Sequence, residues 1–106
     1  MIYKFKSKAT GDLIMLGPNG DQLLRLLGRD PAPRGIIEPA HMAQARLQLQ
    51  AAIDQAEAEA SAAAADGGTD DDAAARHAVG LRQRLWPMLQ MLERAQAADE
   101  PIVWGA

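Results

Sequence analysis

The sequence predicts an α+β fold, a small, mostly antiparallel sheet of three or four strands packed against two long antiparallel helices. Three observations carry that reading. Three short segments, Ile2–Ser7, Asp12–Leu16 and Ile102-Val103-Trp104, have strand character. From Pro39 onward two long stretches, to about Ala64 and from about Asp72 to Ala97, are rich in alanine and read as helices. In the later one Leu81, Leu85, Met88, Leu89 and Leu92 fall at i, i+4, i+7, i+8 and i+11, a single stripe of an α-helix. The order is β-β-α-(β)-α-α-β, which suits one sheet with its helices on one face.

Ile2 to Ser7 reads as a strand, because Tyr3 and Phe5 point one way and Lys4 and Lys6 the other. Lys8-Ala9-Thr10-Gly11 supplies a turn, and Asp12 to Leu16 returns as the second strand of an antiparallel hairpin. Gly17-Pro18-Asn19-Gly20 is expected to end that strand. Asp21 to Leu27 then forms a short helix with Asn19 or Gly20 at its cap and Gly28 as its C′ residue. Two prolines in Arg29–Gly35 make that stretch an exposed loop.

Ile36-Ile37-Glu38 is a brief strand or bridge, and Pro39 is pre-set for the first position of a helix. That helix runs to about Ala64, with Met42, Ala45, Leu49, Ala52, Ile53 and Ala56 on its apolar side. Beyond Ala56 the large side chains vanish. Residues 57–72 are an alanine- and aspartate-rich hairpin tip with little to hold it to a core. Asp66 to Asp72 forms its turn, and the last helix runs from about Asp72 to Ala97. A helix from Pro39 to Ala64 is about 39 Å long, whereas a five-residue strand spans about 17 Å. The tip therefore overhangs the sheet, and is expected to fray or to pack against another copy.

With 106 residues the chain is expected to form a single domain, 1–106. Much of its hydrophobic fraction of 48% is alanine and its aromatic fraction is only 4%, so the core is thin and self-association is a natural way to add burial. There is no cysteine, which removes disulfides, thiolate metal sites and thiol nucleophiles and suggests the cytoplasm. The alternation at the N-terminus is unlike a signal peptide, and no apolar run approaches the roughly 20 residues of a membrane helix. Charge is uneven. Residues 1–35 hold six basic and three acidic groups, residues 36–72 one and eight, residues 73–106 four and three. No strongly basic stripe results, so nucleic acid is a poor partner.

Candidate chemistry is sparse. Pro87 follows Trp86 inside the last helix, where a proline removes the hydrogen bond to the Gln83 carbonyl and costs about 3 kcal/mol. The plain reading is a kink that wraps the helix over the sheet, or a break with Pro87 starting a new helix. The functional reading is a ligand pocket at Trp86 and Pro87, completed by Arg82, Arg84 and Trp104, for a small molecule or an anion. Gly17–Gly20 is too short and wrongly spaced for a phosphate-binding fingerprint. His41 and His77 have no ligand spacing, and Asp66, Asp70, Asp71 and Asp72 lack the order of a calcium loop. No nucleophile elbow, triad spacing or metal box is present, so no catalytic residue, metal or cofactor is expected.

Residues 1–12, Gly35-Ile36-Ile37-Glu38-Pro39 and Leu81-Arg82-Gln83-Arg84-x-Trp86-Pro87-Met88 resemble a small family of bacterial proteins catalogued as a domain of unknown function, number eighteen-forty. The resemblance covers nearly the whole chain apart from its alanine- and aspartate-rich middle, and it brings no activity, ligand or site. The leading functional expectation is therefore a non-enzymatic, cytoplasmic interaction module that self-associates. The alternative is a regulatory protein with a small-molecule or anion pocket at the Trp86-Pro87 kink.

Overall fold

The computed structural model describes residues 2–65 and 71–105. Four strands and three helices follow in the order β1 (Ile2–Lys6), β2 (Leu13–Leu16), α1 (Gly17–Leu26), β3 (Gly35–Ile37), α2 (Pro39–Ala65), α3 (Asp71–Ala97) and β4 (Ile102–Trp104). The architecture is α+β, with the element order that the sequence predicts. Of the expected turn at 66–72, residues 66–70 lie outside the described residues, and Asp71 and Asp72 belong to the start of α3.

The sheet order is β2-β1-β4-β3 and every neighbouring pair is antiparallel. Ile36-Ile37 does join the sheet, and it does so through the last strand, with Ile36 opposite Val103 and Ile37 opposite Ile102. On the other side β4 pairs with β1, Phe5 opposite Trp104. Strand period then sorts every side chain. Tyr3, Phe5, Met15, Ile37, Ile102 and Trp104 face the helices and are buried, whereas Ile2, Lys4, Lys6, Ile14, Leu16 and Ile36 face outward.

The core lies between that inner sheet face and one stripe from each long helix. From α2 come Met42, Leu49 and Ile53, and from α3 Leu85, Met88 and Leu92, all fully buried. The short α1 adds Leu23 and Leu24. Phe5 joins the aromatic side chains of the layer, stacked on Tyr3 at 5.9 Å and tilted against Trp104 at 5.4 Å. Burial along α2 stops at Ala56, with only partial cover at Ala60, so the far end of α2 runs past the sheet.

One boundary differs from the sequence reading. Gly17-Pro18-Asn19-Gly20 does not sit between strand and helix; it is the first turn of α1, with Leu16 in extended conformation at the N-cap and Pro18 in the first helical positions. Proline and glycine punctuate turns and helix starts alike, and here the fixed proline φ serves the helix. Gly20 also has to be glycine for packing, since a Cβ there would enter the Tyr3 ring. Gly28, at φ 75°, ends α1 as expected, and Arg29 N–H donates to the Leu24 carbonyl at 2.8 Å. At the other end of the chain Glu100 N–H donates to the Ala95 carbonyl at 2.9 Å and closes α3 before Pro101.

Two polar contacts tie α1 and the loop after it to the sheet. The Tyr3 hydroxyl donates to the Asp21 carboxylate, joining β1 to α1. Arg29 Nη1 donates to the Ile36 carbonyl at 2.8 Å, occupying an acceptor on an edge strand that would otherwise invite another strand.

Two outcomes follow from this packing. A Cβ on Gly35 would enter the Trp104 ring, which has no room to retreat. Gly35→Ala and Gly20→Ala are each expected to lose about 1–3 kcal/mol in urea unfolding. Gly11→Ala, with open space around it, should stay within about 0.5 kcal/mol. The Asp21 carboxylate, by accepting the Tyr3 hydrogen bond, raises the Tyr3 pKa above its ordinary value. The folded chain therefore holds that proton longer than the unfolded one, and the contribution is complete below about pH 10 and lost as pH rises through the folded value. Tyr3→Phe should cost about 1–2 kcal/mol near neutrality, modest for a bond to a charged group because Asp21 is half-exposed. The variant should also lose that component of alkaline destabilisation, read from unfolding midpoints across about pH 9 to 12, from one unit below the ordinary tyrosine value upward.

Candidate functional site

Helix α3 carries two stripes with opposite duties. Leu81, Leu85, Met88, Leu92 and Ala95 face the core and are buried. One turn-step away, Val79, Arg82, Trp86, Gln90 and Glu93 face solvent. A tryptophan is unusual in that second set, and Trp86 is 46% exposed. Pro87 sits beside it on the surface, within a helix that continues from Asp71 to Ala97. The carbonyl of Gln83 loses its intrahelical donor to the proline, and because Gln83 and Pro87 are both exposed, water can serve it. No break with a second helix beginning at Pro87 occurs.

The five residues that the sequence singles out do not form one site. Arg82, Trp86 and Pro87 come together with Gln83 around a surface hollow of about 400 Å³. Arg84 lies on a different side of α3, half-buried, with its Nε shielded from water and without a protein partner. Trp104 is only 3% exposed; its indole N–H donates to the Ala32 carbonyl at 3.0 Å and its ring rests on Phe5. The physical reason is strand parity. Ile102 and Trp104 share the inner face of β4, so the indole that looked available at the end of the chain is core.

Arg82 is also committed. Its Nη2 and Nε donate to the two Glu57 carboxylate oxygens at 2.8 and 3.2 Å, a forked pair between α3 and α2. That hydrogen bond, and the negative charges of Glu57 and Asp54, raise the arginine pKa further. An incoming anion would have to displace Glu57. The arrangement fits a clasp between the helices better than an anion receptor.

A second hollow uses Trp86 from its other side. Between α2 and α3, on the face turned away from the sheet, lies a groove of about 470 Å³ lined by Ala43, Arg46, Leu47, Gln50, Trp86, Leu89, Gln90 and Glu93. Leu47 is 71% exposed at one end of it, Trp86 stands at the other, and Leu89 forms an apolar floor. Arg46 Nη1 donates to Gln96 Oε1 at 3.2 Å across the helices, and Gln50 Nε2 donates to Asp54 at 3.0 Å along α2. The chemistry is that of a contact surface: two large apolar side chains over a floor, rimmed by amides and charges of both signs.

Leu47 was not singled out by sequence, although a signal was there. It lies between Ala45 and Leu49 on the buried stripe, two residues from each, and so falls on the far side of the helix. His41 and His77 are exposed. Among the described residues no three His, Asp or Glu side chains gather as a metal site, and no described helix is long and apolar enough to cross a membrane. The acidic turn residues Asp66 and Asp70 lie outside the described residues.

A family model described as a domain of unknown function (DUF1840) matches residues 1–104. No curated relative and no solved structure matches the chain.

Proposed function

The chain belongs to the DUF1840 family, which carries no assigned activity, and from its surface we propose that it is a non-enzymatic, cytoplasmic protein-interaction module that self-associates through the outer face of the α2–α3 hairpin. The observation that supports this reading is the pairing of exposed Leu47 with half-exposed Trp86 over one groove. Burying a large apolar side chain is worth about 1.5–3 kcal/mol, and a tryptophan in a desolvated pocket is a common anchor of interfaces. The thin, alanine-rich composition adds a motive, since a second chain supplies burial that this core lacks. The cytoplasmic part rests on the absence of cysteine, and the non-enzymatic part on a sequence without nucleophile, triad or metal-ligand spacing.

The rival reading, a small-molecule or anion pocket at Trp86 and Pro87, draws on the hollow with Arg82 and Gln83. It is weakened by the Glu57 carboxylate already seated on Arg82 and by the burial of Trp104.

Acrylamide quenching separates the two in the native protein. Trp104 is shielded at every concentration, so any change in the accessible fraction reports Trp86. Self-association predicts one quenchable indole in dilute protein, progressive shielding as protein concentration rises, and no response to a panel of small metabolites. A Trp86 that stays equally quenchable at all protein concentrations, with emission that shifts on adding one metabolite, would contradict the proposal and favour the pocket.

A further inference from the structure

We infer that the hairpin face receives a second copy of this chain in one register: antiparallel, with Gln50 and Gln90 on the two-fold axis and Arg46 of each copy against Asp54 of the partner subunit. This deepens the self-association reading and rests on it.

The levels of the two helices fix the geometry. Arg46 bonds Gln96 near the base of the hairpin, and Glu57 bonds Arg82 toward its tip. Interpolating between these contacts puts Gln50 level with Gln90. Leu47 then stands about one turn to the base side of that level, and Trp86 about one turn to the tip side. A two-fold axis lying in the plane of the face at the Gln50 level exchanges the two ends. Each exposed Leu47 comes to the height of Trp86 of the partner subunit, one helix spacing of about 8–10 Å to the side, so the four apolar anchors lie within one interface.

Charge selects the same arrangement. Along α2, Arg46, Gln50 and Asp54 follow at four-residue spacing, so they share one face of the helix. Placed antiparallel to itself about Gln50, this stripe sets a cation opposite a carboxylate twice and an uncharged amide opposite its own copy. Arg46 spends one nitrogen on Gln96, and Asp54 accepts one bond from Gln50, which leaves each with capacity for a partner. An isologous contact requires this kind of self-complementarity.

The open side of the sheet also exposes apolar side chains, Ile2, Ile14, Leu16 and Ile36. There Lys4 already has a carboxylate partner within its own chain, Asp12 at 3.6 Å, whereas Arg46 and Asp54 bond uncharged amides and keep their charges for a second copy.

The test is a charge swap read by sedimentation equilibrium, with circular dichroism confirming that each variant remains folded. Arg46→Asp and Asp54→Arg alone each create two like-charge contacts per dimer and should weaken self-association by about tenfold or more. The double variant Arg46→Asp/Asp54→Arg regenerates both pairs with reversed sign and should return to within about threefold of the wild type. Leu47→Lys should dissociate the dimer regardless of register. If Leu47→Lys dissociates it and the double charge swap stays as weak as the single variants, the register is wrong and self-association through this face stands. If Leu47→Lys leaves the association unchanged, the face itself is wrong. A second readout does not depend on charge. The chain has no cysteine, so Gln50→Cys places a single thiol on the axis, where a short bis-maleimide should link two copies efficiently. Ala58→Cys, exposed on the same helix, lies about 24 Å from its copy in this register and should not cross-link. Equal linking at both positions would overturn the register.

Discussion

The structure depends on β4 entering between β1 and β3. Three residues, Ile102-Val103-Trp104, hydrogen-bond to strands from the first and second thirds of the chain, and they carry Ile102 and Trp104 into the core. Without them the sheet separates into the β1–β2 hairpin and a three-residue edge strand with nothing to pair with. Trp104 adds the cross-links that parity alone would not give: its ring meets Phe5, covers Gly35, and its N–H ties down the proline-rich loop at Ala32. The contacts are long in sequence separation, so the sheet is complete only when the last residues arrive.

That closure decides where the long helices lie and which of their faces stay wet. The inner sheet face is one layer of aromatic and aliphatic side chains, and a single stripe on each long helix is enough to cover it. Among the described residues no second sheet lies behind the helices, and their outer face is mostly alanine, glutamine and charged side chains, apart from Leu47, Val79 and Trp86. Arg82 and Glu57 clasp the helices across the hairpin, and because that pair is half-exposed it fixes alignment more than it adds stability. The edges are managed differently. Arg29 occupies a carbonyl of β3, and Lys4 and Lys6 interrupt the aliphatic open face of the sheet, with Lys4 paired to Asp12.

Much of this was legible in the sequence because period alone encodes it. The stripe Leu81, Leu85, Met88, Leu92 and the alternation at Tyr3 and Phe5 announce which atoms go inside, and the overall order of elements follows. The start of α1 was misread because Gly17-Pro18-Asn19-Gly20 has the composition of a turn and of a helix start, and only the packing of Gly20 under Tyr3 distinguishes them. The candidate site was legible in part. Trp86 and Arg82 stand together as four-residue spacing requires, but Trp104 is core and Arg82 is held by a residue 25 positions away. The Glu57 contact depends on how two 27-residue helices align across the hairpin, a distance no local pattern reports. Leu47 was visible only as an apolar residue out of phase with its own helix.

The central claim is that the outer hairpin face is a contact surface between copies. Small-angle X-ray scattering across a dilution series addresses it most directly. One chain has a Cα radius of gyration of 15.0 Å. The account predicts a value close to that at high dilution, rising with concentration as the forward scattering per unit mass doubles. A radius and mass that stay those of a single chain at every concentration would contradict it.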